Sequence, residues 1–349
     1  MHEGMESQQV RRRRLLQLGG ATLATTAAGC LGGDSGNGNG NGNGNGNGET
    51  PTYAQWVPSV DNEVMISYVD IAEVSDLESD EGNSSDEMGN LEDIDDPMMA
   101  VPLNGMFVGM LSASIGLSGT RLGGLITLES DQASDNDLNS VVNELLVANE
   151  TTVMIGEIDT GEIDTTVTAA TDSTYGETQF EHTSDVSGFA LYKPAGDVSQ
   201  EATLAVSGDA IIQGESQSAV ERTIETKQGD GTRAVDEFET FKRLLSTGGN
   251  GHVAFGGYSP DGYDGSEDGS ESSMQVETLE GANGFVGSIT FSESDSSASM
   301  GVAFDELSDT KRDALESSLG TLGSDVSVDF DGGFVSASAT YADDILDGI

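Results

Sequence analysis

The sequence has 349 residues, of which 62 are acidic and 13 are basic, so its formal net charge is −49. Binding to nucleic acid requires basic patches that neutralise phosphates, and this composition excludes that class of function. A single cysteine also excludes a disulfide within the chain and a cysteine-based metal cluster. We interpret the acidic surface as an adaptation to molar salt, in which the Debye length is about 3 Å.

Residues 1–29 have the organisation of an export signal. Arg12 and Arg13 belong to a run of four arginines that continues into Leu15 and Leu16, and a short stretch rich in Gly, Ala and Thr follows. A basic region, a short apolar region and small residues at the end are typical of a signal peptide. The arginine–leucine run resembles the twin-arginine signal, which exports already folded proteins. A generic basic region of the ordinary secretory route is the alternative.

Cys30 is predicted to carry a lipid. Residues 28–30 read Ala-Gly-Cys and resemble a lipobox, in which the cysteine becomes the mature, lipid-modified N-terminus. The alternative is an unmodified cysteine beside a conventional cleavage site. Residues 36–48 then alternate Gly and Asn, and such a segment has nothing apolar to bury, so residues 30–50 are predicted to be a flexible tether of about 25 Å. The prediction is therefore a lipid-anchored protein on the extracytoplasmic face of a cell membrane.

The remaining residues, 51–349, are predicted to form an α+β fold with a largely antiparallel β-sheet and helices packed on one face. The order of hairpins and helices suggests two related modules, at 51–258 and 274–349, which an acidic loop at 259–273 connects. An acidic insertion is predicted at 75–96. The stretch that follows, 97–120, contains no charged residue, which raises the alternative of a membrane-spanning helix. Pro102, Asn104 and four glycines favour instead a buried or partly buried helix that packs Met106 and Met110 into the core.

Four segments show helical periodicity, and we predict helices there. The first contains Leu138 to Leu146, the second follows Ser216 and stops at Gly229, the third contains Val235 to Leu245, and the fourth follows Ser308. Strands are predicted at 64–69, 152–158, 179–182, 188–192, 202–206 and 252–258, and a pair around 285–291 and 300–304. The clearest hairpin joins 326–330 to 335–341 through the turn 331–333.

The segment 188–234 resembles haloarchaeal surface proteins of an uncharacterised family. The resemblance is carried by a strand pair, a following helix and the turn Lys227-Gln228-Gly229. It implies a surface protein from a salt-adapted cell, and it transfers no catalytic residue.

Two functional hypotheses follow. The first is a non-enzymatic surface protein that binds an unknown protein or small molecule in the cell envelope, and the alternative is an extracytoplasmic hydrolase that uses carboxylates. Because 62 carboxylates form the background, an acidic cluster alone identifies no catalytic residue. No cofactor motif is present, and the acidic loop lacks the ligand spacing of a calcium-binding EF-hand, so no metal site is predicted. Asn83 and Asn149 begin glycosylation sequons, and we predict that both are accessible.

Overall fold

The computed structural model describes residues 48–342 except 61, 78–93, 127–137, 171–177, 197–201, 263–276 and 293–294. Twelve antiparallel strands form one sheet in the order β11-β12-β10-β9-β8-β1-β2-β3-β7-β6-β5-β4. The strands are β1 Val64–Asp70, β2 Val141–Ala148, β3 Thr151–Glu157, β4 Phe180–Val186, β5 Phe189–Pro194, β6 Thr203–Val206, β7 Ala210–Gly214, β8 Val253–Tyr258, β9 Gly284–Thr290, β10 Asp295–Ala303, β11 Ser324–Asp331 and β12 Phe334–Ala342. The predicted α+β class with an antiparallel sheet is confirmed.

The α-helices of the described residues cover both faces of this sheet. They are α1 Ile71–Leu77, α2 Pro97–Leu117, α3 Thr160–Thr168, α4 Gln217–Gln228, α5 Ala234–Glu237, α6 Glu239–Gly248 and α7 Asp309–Ser318. Helices α4, α5 and α6 share one core with Trp56, whereas α1, α2, α3 and α7 pack on the opposite face. The prediction that helices cover one face is therefore wrong. The physical reason is that the inner strands are apolar on both sides: Ile66 enters the first core and Val69 enters the second.

The segment predicted as a helix around Leu138–Leu146 is strand β2, a second correction. Its apolar residues fit a helical spacing only because a β-bulge interrupts the alternation between Val142 and Glu144. Beyond the bulge, Leu145 packs into one core and Leu146 into the other. A central strand with both faces covered needs adjacent apolar residues, and a bulge then makes its pattern resemble that of a helix.

The other three segments are helical as predicted, although the fourth, which was expected to include Leu319 and Leu322, ends at Ser318. The Ser216 hydroxyl accepts a hydrogen bond from the Ala219 amide (3.2 Å) and caps α4, which stops at Gly229 in the left-handed conformation with φ of 83°. Ser308 caps α7 in the same way. The third predicted helix is divided in two, because Phe238 is extended between α5 and α6.

The predicted boundary between two modules falls between strands that pair with each other. β8 ends at Tyr258, and residues 253–258 pair along their whole length with β9. The sheet therefore continues across this position. The outermost strands, β4 and β11, are largely exposed and carry acidic side chains, which disfavours pairing with another chain.

Helix α2 crosses the sheet in close contact with it. Gly105, Gly109 and Gly116 face Phe255, Ser67 and Gln213, and none of these glycines has room for a Cβ atom. The Ser67 hydroxyl donates a hydrogen bond to the Gly105 carbonyl (2.8 Å).

The beginning of α2 is fixed by Asp96, a fully buried carboxylate. It accepts four hydrogen bonds, from the amides of Met98, Gly320 and Leu322 and from the Tyr341 hydroxyl, at 2.9–3.1 Å. Asp96 therefore joins α2 to the loop before β11 and to β12. Asp96 is the last residue of the predicted acidic insertion 75–96. The first residues of that insertion, Ser75 to Leu77, belong to α1, and residues 78–93 lie outside the described residues.

Candidate interaction surface

Helix α2 carries a row of large apolar side chains on the side that faces away from the sheet. Phe107, Val108, Leu111 and Ile115 are 51%, 36%, 48% and 58% exposed. These positions recur at i, i+1, i+4 and i+8, so the four side chains lie on one face of the helix. We call these four residues the outer stripe.

The outer stripe brings together many of the exposed large apolar side chains of the structure. Eight large apolar side chains are exposed among the described residues, and four of them belong to the stripe. No charged residue occurs anywhere between Pro97 and Thr120, in a chain with 62 acidic residues. A helix that is apolar on all sides is normally buried on all sides, but the sheet covers only one side of α2. Exposed apolar patches of this kind mark interaction sites.

The sequence contained a signal for the stripe that periodicity alone misses. Along the part of α2 that carries the stripe, the residues that face the sheet are small, namely Gly105, Gly109 and Ala113, although large residues such as Met98, Leu103 and Leu117 are buried nearer its two ends. Small residues allow close backbone approach, so they indicate which side packs on the sheet. Helix α2 is long and apolar enough to cross a membrane by length and composition, and half of it is buried against the rest of the structure. Its position agrees with the predicted partly buried helix.

A half-buried carboxylate, Glu144, lies in a cluster of aromatic and basic groups on the middle strands of the sheet. The Tyr68 hydroxyl donates a hydrogen bond to Glu144 (3.2 Å), and the Tyr68 ring stacks on Tyr53 with ring centroids 4.2 Å apart. Burial raises the pKa of Glu144. The hydrogen bond from Tyr68 acts in the opposite direction and lowers this pKa, while the negative charge of Asp70 raises it. Asp70 is the cross-strand partner of Glu144, but one of its carboxylate oxygens also accepts a hydrogen bond from the first turn of α1.

On the same face, Lys227 lies over the buried Trp56 ring, with the amine 4.5 Å from the ring centroid. Burial lowers the pKa of Lys227. A partly desolvated cation over an aromatic face stabilises the end of α4, where the predicted family-like turn 227–229 lies.

A second arrangement of acids lies in an open cleft of about 420 Å³ that Glu239, Arg243, Asp331 and Phe334 help to line. The Arg243 guanidinium lies 3.8 Å from the Phe334 ring centroid and pairs with Asp331 at 2.7 Å. The Asp331 side chain is 79% exposed. The Asp331 carboxylate is therefore open to solvent, and the residues that line this cleft include no enclosed pair of carboxylates.

Among the residues predicted for export, anchoring and modification, the structure describes only Asn149. Cys30, the export residues and Asn83 lie outside the described residues; the export residues are Arg12, Arg13, Leu15 and Leu16. Asn149 occupies the turn between β2 and β3 rather than a helix end, with a positive φ of 50°. Its side-chain oxygen accepts a hydrogen bond from the Met65 amide (3.0 Å), and its nitrogen donates one to the Pro58 carbonyl (3.4 Å). Glycosylation of Asn149 stays a prediction, and it would have to preserve or replace the second bond.

No family model matches the sequence, and no curated protein matches it significantly. Among solved structures, two crystal forms of TP0453 are similar to this chain at 9% sequence identity. Crystal form III has a TM-score of 0.40 and the match covers 84% of this chain and 95% of that chain. Crystal form I has a TM-score of 0.39, with 85% and 96% covered. Similarity at this level supports no argument about function.

Proposed function

We propose that this chain is an extracytoplasmic surface protein, anchored to the cell membrane by lipid on Cys30, that acts by binding and not by catalysis. The export signal, the unique cysteine and the Gly/Asn segment support the location. The acidic composition and the resemblance of 188–234 to haloarchaeal surface proteins support a salt-adapted cell as the source. The proposed partner is a protein, a small molecule or a lipid of the cell envelope.

The outer stripe of α2 is the observation that carries the binding role. Its apolar side chains gain nothing from water and would release free energy on contact with a partner. The helix beneath is held in place by Asp96 and by its glycine contacts with the sheet, so the stripe is presented on a rigid support. Rigid presentation lowers the entropy cost of binding.

The anchor is tested by changing Cys30 to Ser in the full chain, expressed in a cell that grows in molar salt. We expect the wild-type mature chain to begin at residue 30 and to carry a lipid mass that the variant lacks. The control is Ser35→Ala, in the same tether, which should retain the lipid. A wild-type chain that carries no added mass on Cys30 contradicts the anchor.

A carboxylate hydrolase is the second candidate, and Glu144 is the observation that favours it. A carboxyl group whose pKa is raised by burial, next to a second carboxylate on Asp70, is suited to general acid catalysis. Hydrolytic activity that disappears in Glu144→Gln and persists when the stripe is altered would favour this function over binding.

A further inference from the structure

We propose that the outer stripe docks the folded part of the chain onto the bilayer surface, with lipid hydrocarbon as its occupant. This inference rests on the proposed anchored location and names the partner of the same surface. Phe107, Leu111 and Ile115 would enter the boundary between headgroups and acyl chains, while the sheet remains on the aqueous side.

The first argument is the length of chain between the predicted anchor and the described fold. Seventeen residues lie between Cys30 and Gly48, and as the flexible coil that their composition predicts they span about 25 Å. The fold is reached at Glu49, whose carbonyl accepts a hydrogen bond from the Asn250 side chain (3.0 Å). This point lies beside α6, across the sheet from α2. Fully extended, these residues reach about 60 Å, which exceeds two helix layers of about 10–12 Å each and the sheet between them, so the tether can pass the edge of the sheet and bring the stripe to the bilayer.

The second argument is charge. Residues 97–120 contain no charge, whereas the whole chain has a net charge of −49. Hydrocarbon accepts uncharged aliphatic and aromatic side chains and strongly disfavours carboxylates. The charge-free surface is confined to α2, because α1, α3 and α7 on the same face carry exposed carboxylates, so α2 is the element of that face that can approach lipid.

The third argument is the fixed position of α2. Its inner face packs on the sheet through Gly105 and Gly109, and its first residue is held by the Asp96 network. Such a helix cannot leave the sheet to span the bilayer without exposing that buried face to lipid and breaking the network. It can lie parallel to the bilayer surface, where interfacial helices bury their apolar side by about 5–10 Å.

The test uses the mature chain with Cys30→Ser, so that no lipid on the protein contributes to binding. Vesicles of phosphatidylcholine are mixed with the protein in molar KCl and separated by flotation. We expect the protein to float with the vesicles. The double variant Leu111→Ser with Ile115→Ser should lower its partition coefficient about tenfold or more. The reason is that these two half-exposed side chains together present about one full aliphatic side chain to lipid.

The matched control is Leu322→Ser with Val326→Ser. These side chains are 45% and 43% exposed, similar to the stripe, and should leave flotation unchanged. Leu322 contacts Asp96 at the beginning of α2, which is 15 residues and about 22 Å of helix from Leu111. Circular dichroism of each variant verifies that the fold is retained.

A labelling experiment gives an independent measurement. Cys30→Ser removes the only cysteine, so Ile115→Cys provides one attachment point for an environment-sensitive fluorophore. The fluorophore should shift to the blue on adding vesicles and should be quenched by lipids with nitroxides on their acyl chains. Val326→Cys should show neither effect.

The proposal is overturned if the stripe-intact chain does not float at any salt concentration, or if the stripe and control variants lose flotation equally. It is also overturned if the chain forms dimers that the stripe variant abolishes and shows no vesicle binding, because the occupant would then be a second copy. A lipid mass on wild-type Cys30 together with no flotation would retain the anchored function and reject only the docking.

Discussion

The buried carboxylate of Asp96 gives the sharpest test of what holds this fold together. One of its oxygens accepts the amides of Met98 and Gly320, and the other accepts the Leu322 amide and the Tyr341 hydroxyl. Asp96→Ala removes both acceptor oxygens, and with them four hydrogen bonds, from a buried position. We expect this one substitution to weaken the contacts of α2 with the loop before β11 and with β12 at the same time.

The size of the loss in stability follows from the four hydrogen-bond donors that Asp96→Ala leaves without a partner. Each buried donor left without a partner costs about 1–3 kcal/mol, so even the lower figure gives about 4 kcal/mol for Asp96→Ala. Water that enters the space of the lost carboxylate would restore part of this, which favours the lower figure. Domains are stable by only about 5–15 kcal/mol, so the loss is a large fraction of the total.

Two milder variants grade the effect. Asp96→Asn keeps one acceptor but points an NH2 group at the Leu322 amide, and we expect a loss of about 2 kcal/mol. Tyr341→Phe removes one bond only, and we expect about 1 kcal/mol. The neighbouring Asp95 is exposed, so Asp95→Ala should change stability by no more than about 0.5 kcal/mol.

Urea denaturation at constant molar KCl, followed by the fluorescence of the buried Trp56, measures each difference. The expected loss of stability is largest for Asp96→Ala, smaller for Asp96→Asn and smallest for Tyr341→Phe. A loss below about 1 kcal/mol for Asp96→Ala would refute the reasoning, because it would mean that the four donors find equal partners without the carboxylate.

Two further predictions concern solution conditions. Repulsion within a chain of net charge −49 should lower the urea midpoint as KCl falls from molar concentration to about 0.01 M, where the Debye length is about 30 Å. An unchanged midpoint contradicts the proposed salt adaptation. Burial raises the pKa of Tyr53, Tyr68 and Tyr341 above the ordinary value of about 10, so the stability they confer is complete below about pH 10 and is lost as the pH rises. Stability should fall by up to about 4 kcal/mol per pH unit above that point, and urea midpoints between about pH 9 and about pH 11 that do not fall contradict the burial of these hydroxyls.

Local signals in the sequence predicted local structure well. The Ser216 and Ser308 caps, the stop at Gly229 and the hairpin of β11 and β12 depend on neighbouring residues, and all are present. The two helical layers could not be predicted, because which side of a strand is covered depends on distant elements. β2 shows the same limit: its bulge arises from pairing with β3, and no neighbouring residue indicates it.

The candidate surface was partly visible in the sequence. The charge-free stretch 97–120 predicted a buried or partly buried helix with Met106 and Met110 in the core, but it did not predict the exposed side, because apolar residues are usually buried. Asp96 was assigned to an acidic surface insertion, since one carboxylate among 62 carries no distinguishing mark. Its role comes from residues more than 220 positions away, Gly320 and Tyr341.

The strand order has a consequence for the time at which the protein becomes complete during synthesis. β1 lies in the middle of the sheet, yet its partner β8 is translated about 180 residues later. At about 5–20 residues per second, one edge of β1 waits roughly 10–40 s before it is paired. An unpaired central strand is a hazard for aggregation. A chain exported through the membrane during its synthesis would cross with this strand still unpaired. A route that exports already folded proteins would receive the strand after it has paired.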